Sequence, residues 1–77
     1  RRFRAATGTT PHAWLRAQRL ARAAELLETT DLTVEQIAAQ VGYAGGAELR
    51  EQFTRYRGLP PSRYRSAFSA RRPAAVG

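Results

Sequence analysis

The chain has 77 residues, enough for one small domain whose core is modest and whose margin of stability is thin. It lacks cysteine, so neither a disulfide framework nor a thiolate metal site can support the fold. Its 13 basic residues, all arginine, outnumber 6 acidic ones, and the net charge of +7 indicates a polyanionic partner, with nucleic acid ahead of an anionic membrane surface.

The abundance of arginine favours nucleic acid, because a planar guanidinium pairs well with phosphate and with guanine. A coding bias towards arginine and alanine in a GC-rich genome explains the same composition, and both causes can act together. No run of apolar residues approaches the roughly 20 that span a bilayer, and no signal-peptide layout is present. We therefore expect a nucleic-acid partner rather than a membrane.

The first residues, RRFRAATG, are typical of the end of a helix whose start is not part of the sequence. Gly8 lies where a left-handed C-terminal cap would be. The next start signal is Thr10 with Pro11, a capping hydroxyl followed by a residue suited to the first helical position. It predicts a long helix that ends at about Glu28 or Thr29.

Larger apolar side chains recur along this long helix at nearly 3.6-residue spacing, with the small Ala23 and Ala24 between them. We expect the larger ones to face the core: Trp14, Leu15, Leu20, Leu26 and Leu27. The alanines favour close approach of another helix, while Arg22 can pair with Glu25 on the polar side.

A short second helix is predicted after Thr33, which has capping-box spacing to Gln36, while Leu32 can pack on Ile37 as a hydrophobic staple. Gly42 would end this helix. Its buried face would consist of Ile37, Ala38 and Val41. A helix this short needs a partner surface.

After a turn at residues 43–46, a third helix is predicted from about Gly46 to Arg57, with Gly58 as its C-terminal cap. Its inward positions are Leu49, Phe53 and Tyr56. Its outward positions are Ala47, Arg50, Glu51, Thr54, Arg55 and Arg57. Two helices joined by a tight, glycine-containing turn outline a helix-turn-helix, whose second helix lies in a DNA major groove.

A last short helix is predicted from Pro60 or Pro61, with Tyr64 and Phe68 packed back on the core. Residues 69–77 lack periodicity and large apolar groups, so we expect a flexible tail.

A set of residues spread over residues 1–68 matches a known family as a pattern. The set is Thr10-Pro11, Arg19-Leu20, Ala23, Leu26-Leu27, Ile37-Ala38, Gly42-Tyr43, Leu49, Phe53, Gly58, Pro61 and Tyr64-Arg65. It resembles the AraC/XylS-type transcriptional regulators. The resemblance implies an all-α, AraC-type helix-turn-helix fold, in which a long linker helix (residues 10–29) precedes a homeodomain-like three-helix unit (residues 33–68). Residues 1–8 would end the recognition helix of a first helix-turn-helix unit.

The resemblance also implies a role and partners. The role would be sequence-specific binding of double-stranded DNA in bacterial transcription regulation, with a cytoplasmic, nucleoid-associated location. A sensing or dimerisation domain would lie on the N-terminal side in the full-length protein, and RNA polymerase is a further candidate partner. Because most of the first unit is absent, we expect the 77-residue chain alone to bind DNA weakly.

The front of the predicted reading helix departs from the family pattern. Where members often carry serine and glutamine, this chain has Ala44, Gly45, Gly46 and Ala47, which cannot make bidentate base contacts, although alanine can touch a thymine methyl. Arg50 can address guanine O6 and N7, and a solvated arginine is its alternative. The candidate base contacts are Gly46, Ala47, Arg50, Glu51 and Thr54.

Glu51 has two interpretations: it could accept a hydrogen bond from cytosine N4, or stay exposed and orient Arg55, which we favour. Phosphate contacts are assigned to the start of the second helix and to the surrounding arginines. They are Thr33, Val34, Arg55, Arg57, Arg63, Arg1, Arg2 and Arg4. Capping or solvation explains each of these residues taken singly.

Arg19 and Arg65 lie beside core positions, so we assign them structural roles as donors to backbone carbonyls or to a carboxylate. We assign Phe3, Trp14 and Phe53 to the core, because they are not clustered on one exposed surface where bases could stack.

No feature of the sequence predicts catalysis, a cofactor or a metal site. His12 is the only histidine, and no second ligand lies at metal-site spacing. We therefore expect a protein that is not an enzyme. The alternative function is a helical protein-interaction module, for example one contacting RNA polymerase, with little base reading of its own. A basic membrane-surface helix is disfavoured because the arginines are spread over several helices.

Overall fold

The computed structural model describes residues 10–71, which form four α-helices in chain order. They are α1 (Pro11–Thr29), α2 (Val34–Val41), α3 (Gly46–Arg57) and α4 (Pro61–Arg71). The described part of the chain is therefore all-α, as the sequence predicted. The predictions for residues 1–8, which include Arg1, Arg2, Phe3 and Arg4, lie outside the described residues, as do those for residues 72–77.

The starts of α1 and α2 confirm the capping predictions. The Thr10 hydroxyl accepts a hydrogen bond from the Ala13 amide at 3.1 Å, and Pro11 occupies the first helical position. In α2 the Gln36 amide donates to Thr33 Oγ1 at 3.1 Å, and the Thr33 amide donates to Gln36 Oε1 at 2.9 Å. This reciprocal pair satisfies two backbone donors that a helix start leaves unpaired.

The core lies where α2 and α3 pack against the second half of α1. Its buried apolar residues are Leu20, Ala23, Ala24, Leu26, Leu27, Ile37, Ala38, Val41, Leu49 and Phe53. Ala23 and Ala38 have no exposed surface, which is consistent with the close helix approach that small side chains allow. Leu32 and Val34 pack against this cluster from its edge.

Three residues predicted for the core are exposed instead: Trp14 at 45%, Leu15 at 40% and Tyr56 at 47%. Among the described residues, the buried positions of α1 begin only at Leu20, and the first half of α1 contacts α3 without being buried by it. Helical periodicity predicts which face of a helix is apolar, but it does not predict how far along the helix a partner reaches. Tyr56 lies at the end of α3, where the Arg16 guanidinium covers its ring at 4.0 Å from the centroid.

Side chains of helix α4 form hydrogen bonds with the end of α1. Arg65 Nε donates to the Leu27 carbonyl at 3.1 Å, and Arg65 Nη2 donates to the Thr30 carbonyl at 2.8 Å. The Tyr64 hydroxyl donates to the Glu28 carboxylate. The structural role predicted for Arg65 is therefore confirmed. Its guanidinium bonds to carbonyls at the end of α1 that have no intrahelical partner.

The closing helix is longer than its sequence suggested. It reaches Arg71, so residues 69–71, which were predicted to belong to a flexible tail, are helical. Tyr64 packs against the core and Phe68 is half-buried. Arg19 makes neither a hydrogen bond to a carbonyl nor an ion pair with a carboxylate in the described part of the chain, contrary to our assignment, and its guanidinium lies 5.6 Å from the Tyr43 ring centroid.

Gly42 and Gly58 offer a matched pair of substitutions, because both have positive φ, +101° and +95° respectively. A Cβ at Gly42 would lie 3.1 Å from Arg19 Nε, whereas a Cβ at Gly58 would have no atom within 4 Å. We expect Gly58→Ala to destabilise the domain by about 1 kcal/mol, from backbone strain alone. Gly42→Ala should cost about 2 kcal/mol, because Arg19 must also move. Urea unfolding of both variants measures the difference in the free energy of unfolding. Equal losses would show that the Arg19 side chain moves away from the added Cβ at no cost.

Within residues 10–71, no helix combines the length and the apolar character that crossing a membrane requires.

Candidate nucleic-acid interface

Helix α3 has one fully buried side and one exposed side. Leu49 and Phe53 have no exposed surface, and they hold the helix against α1 and α2. Four of the residues predicted to contact bases are exposed: Ala47, Arg50, Glu51 and Thr54. We call the surface formed by these four residues and Arg55 the outer face of α3. The buried contacts fix the rotation of the helix, so the outer face is presented to a partner in one orientation.

Gly46, the fifth residue predicted to contact bases, is buried and its amide is already used. That amide donates to Glu35 Oε2 at 2.9 Å. A Cβ added at Gly46 would lie 2.6 Å from the same oxygen, which is closer than real Cβ atoms come to any neighbour. We therefore remove Gly46 from the candidate base contacts, and its small size is explained by the carboxylate beside it.

The start of α3 has no side-chain cap of the usual kind. Its N-cap residue is Gly45, which has no side chain to accept from the free amides. Two carboxylates bond to amides here instead: Glu35 accepts from the Gly46 amide, the first of the helix, and Glu48 Oε1 accepts at 2.9 Å from the Ala44 amide, which precedes the cap. Negative groups at a helix start are also favoured by the helix dipole.

Neither carboxylate was predicted from the sequence to support the start of α3. Glu48 could have been found, because a glutamate in the first turn after a glycine cap is a local pattern. Glu35 could not, since its partner lies 11 residues away on another helix and only the tertiary packing brings them together.

Three exposed arginines lie on α3 and α4 without a carboxylate within ion-pair distance in the described part of the chain: Arg50, Arg55 and Arg63. The favoured pairing of Glu51 with Arg55 does not form among these residues, and Arg55 lies 5.5 Å from the Tyr56 ring centroid instead. Arg22 and Glu25 do pair, at 3.0 Å.

Arg57 differs from these arginines, because its guanidinium lies 5.7 Å from the ring centroid of the buried Phe53. Its charge is exposed while its side chain also covers the core.

The start of α2 keeps part of its capacity to bind a phosphate. The capping box already occupies the amides of Thr33 and Gln36. Within the described residues this leaves the amides of Val34 and Glu35 as the donors that a phosphate oxygen could reach.

Tyr43, in the turn between α2 and α3, has a buried hydroxyl oxygen with no hydrogen-bond partner among the described residues. Burial raises the pKa of its phenol above the usual value of 10.0, while the nearby Arg19 lowers it by a smaller amount. The ring is therefore neutral at physiological pH and acts as a packing group.

Residues 1–67 match the family model of a helix-turn-helix domain. The RCS-specific HTH-type transcriptional activator RclR of Escherichia coli K12 is 41% identical over 63 residues, which are 82% of this chain and 22% of RclR. The HTH-type transcriptional regulator AlkR of Acinetobacter baylyi is 36% identical over 63 residues, 82% of this chain and 21% of AlkR. The crystal structure of the DNA-binding domain of AdpA, a global transcriptional factor, in complex with a target DNA superposes with a TM-score of 0.85 at 44% identity, covering 94% of this chain and 65% of that one.

The chain spans about a fifth of the length of RclR and AlkR, so the comparisons describe this domain and not a whole regulator. Both relatives are transcriptional regulators, and the domain is not an enzyme. The family model covers most of the chain, and the likeness to the AdpA domain extends through the four helices. The chain therefore belongs to the AraC/XylS-type helix-turn-helix family, whose domains bind specific DNA sequences in transcription regulation.

Proposed function

We propose that this domain binds double-stranded DNA with α3 in a major groove, so that the outer face of α3 meets the base edges. The observation that carries the proposal is the fixed orientation of α3, whose inner residues Leu49 and Phe53 are fully buried while its opposite side is polar and exposed. A major groove admits an α-helix, and a rigidly held helix presents the same side chains at every encounter. The likeness to the AdpA domain, whose crystal structure contains a target DNA, supports double-stranded DNA as the partner.

Phosphate contacts would come from both sides of α3. Arg55 and Arg63 carry unpaired positive charge among the described residues, and Arg57 adds an exposed charge at the end of the helix. The free main-chain amides at the start of α2 would donate hydrogen bonds to a phosphate, because the first helix of this motif crosses the DNA backbone. These contacts would supply affinity and register without reading sequence. Arg1, Arg2 and Arg4 remain proposed phosphate contacts from outside the described residues.

Base reading would depend chiefly on Arg50. Its guanidinium lies one turn into α3, and a bidentate bond to guanine O6 and N7 is worth about 1 to 3 kcal/mol of discrimination. Ala47 and Thr54 can meet a thymine methyl or a single acceptor, which discriminates less. Glu51 carries a negative charge on the same face. Its carboxylate would accept a hydrogen bond from the amino group of a cytosine and would disfavour another base at that place.

Arg50→Ala tests this assignment. We expect binding to the preferred duplex to fall by about 10- to 100-fold, with loss of preference at one base pair. The measurement is the affinity for a duplex selected from a random-sequence library, compared across its single-base variants. Arg22→Ala is the matched control, because it removes the same charge from the outside of α1, where Arg22 pairs with Glu25. A uniform loss over all variants would place Arg50 on a phosphate and not on a base.

We also propose partners for the whole protein. The greater lengths of RclR and AlkR support a sensing or dimerisation domain outside the matched region, which we place on the N-terminal side. RNA polymerase would be contacted once the regulator is bound near a promoter. A DNA partner would also place the protein with the nucleoid in the cytoplasm.

A further inference from the structure

The Glu35 carboxylate is the contact that ties the start of α3 to α2. It accepts the Gly46 amide at 2.9 Å, across 11 residues of chain. Within the turn the Ala44 amide bonds to Glu48 on α3, but Ala44, Gly45 and Gly46 carry no side chain that could reach α2. Consecutive glycines lose more conformational freedom on ordering than other residues, so a turn of this composition needs an external contact to hold one conformation.

Arg50 lies beside the same contact. The position of a Cβ on Gly46 would be 2.6 Å from Glu35 Oε2 and 3.3 Å from Arg50 Nη1. Glu35 and Arg50 thus flank the empty space left by the missing side chain of Gly46. The carboxylate is therefore near both the first amide of the helix and the guanidinium proposed to read a base.

We propose that Glu35 is a positioning residue for DNA reading, which acts through the Gly46 amide to hold the first turn of α3, and Arg50 with it, in the orientation that fits the groove. The inference rests on the proposed docking of α3 in the major groove. Its physical basis is preorganisation. A first turn that is already ordered loses less conformational entropy on binding, and this raises the affinity only of a complex in which base contacts form.

This role predicts opposite effects on two kinds of binding. Glu35 carries a negative charge close to the proposed DNA surface, so its removal should strengthen binding to any duplex through weaker repulsion of the phosphates. Loss of the hydrogen bond should weaken binding only to the preferred duplex, because non-specific complexes do not use the orientation of the first turn. A residue needed merely for folding would weaken both.

Glu35→Gln and Glu35→Ala separate the charge from the hydrogen bond. Both remove the charge, but glutamine keeps an oxygen that can accept from the Gly46 amide. In the full chain we would measure affinity for the duplex selected from a random-sequence library and for a shuffled duplex of the same composition. The ratio of the two affinities should stay close to the unmodified value in Glu35→Gln and fall by about tenfold in Glu35→Ala. Both variants should bind the shuffled duplex at least as tightly as the unmodified protein does.

Gly46→Ala provides an independent test that leaves the charge of Glu35 in place. The Cβ would displace the flexible carboxylate, and Gly46 does not have the positive φ that would strain alanine. Because alanine is also the better helix former, the variant should fold. We expect the affinity ratio to fall as in Glu35→Ala, without tighter binding to the shuffled duplex.

Amide hydrogen exchange gives a readout that does not depend on DNA. The Gly46 amide should exchange about tenfold faster in Glu35→Ala than in Glu35→Gln, while the amides in the buried half of α1 should be unchanged. Equal affinity ratios or equal exchange rates in the two Glu35 variants would overturn the inference. An unchanged base preference in Arg50→Ala would instead count against the proposed docking of α3, so the two failures are distinguishable.

Discussion

Arg65→Ala is expected to destabilise the domain by about 2 to 4 kcal/mol, although it removes only one half-exposed side chain. Arg65 donates to the carbonyls of Leu27 and Thr30, which lie at the end of α1. Hydrogen bonds from a charged donor contribute about 1.5 to 3 kcal/mol each, and because Arg65 is half-exposed, water partly replaces both bonds and keeps the expected loss below their sum. The loss should appear as a lower midpoint of urea unfolding with an unchanged slope.

Arg63→Ala is the matched control for this prediction, because Arg63 lies two residues earlier on α4. It is exposed and has no carboxylate partner among the described residues, so its loss should change stability by about 0.5 kcal/mol or less. In DNA binding the order reverses. Arg63→Ala should weaken affinity for all duplexes alike and lower the dependence of affinity on salt by about one phosphate contact.

The two substitutions remove the same charge, so net charge cannot explain a difference between them. Equal losses of stability would mean that the two carbonyl bonds of Arg65 contribute nothing, and that α4 is held by its apolar contacts, which include the fully buried Pro61 and the ring of Tyr64. An unchanged salt dependence in Arg63→Ala would remove Arg63 from the proposed phosphate contacts.

Features encoded within one turn of helix could be predicted from the sequence. The capping box of Thr33 and Gln36, the start of α1 at Thr10 and the ends of α2 and α3 at Gly42 and Gly58 all depend on neighbouring residues, and all four are as predicted. Their physical basis is local: a hydroxyl or amide side chain reaches a free backbone group, or a glycine adopts the left-handed conformation.

Features that depend on which helix covers which surface could not be predicted in the same way. The apolar face of α1 was predicted along its whole length, yet its buried residues begin only at Leu20, and Trp14 and Leu15 are exposed although Tyr56 of α3 contacts the nearby Arg16. The contact of Glu35 with Gly46 is another such case, since no spacing rule connects position 35 to position 46. Both features depend on how the helices are placed relative to one another, and hydrophobic periodicity alone does not predict that placement.

The same distinction explains the outcome for the glycines and alanine at the front of α3. From the sequence, the small residues indicated a weakened base reader, because they lack groups that bond to bases. In the structure Gly46 is small because a carboxylate occupies the space beside it, and Arg50 lies next to that carboxylate. In the proposed complex the front of α3 would support the reading residues further along the helix, and Gly46, whose amide is bonded to Glu35, would not contact a base.

Phe53→Ala should have the largest effect on stability, about 3 to 5 kcal/mol. Phe53 has no exposed surface, and its ring meets Tyr64 edge-to-face at 5.5 Å between centroids, so it joins α3 to α4 as well as to the main core. A domain of this length is stable by about 4 to 12 kcal/mol in total. The substitution therefore removes a large part of the available stability, and thermal unfolding followed by circular dichroism should show a much lower midpoint.

Tyr56→Ala is the control for Phe53→Ala, because Tyr56 is an aromatic residue three positions later on the same helix. Its ring is 47% exposed and its described contacts are to the arginines that cover it, so its loss should cost about 1 kcal/mol or less. The comparison tests whether burial or aromatic character determines the loss. If Tyr56→Ala were as damaging as Phe53→Ala, the Tyr56 ring would have to be buried after all. The inner side of α3 would then include all three residues predicted from its periodicity, and α3 would be rotated away from the orientation in which Arg50 and Thr54 are exposed.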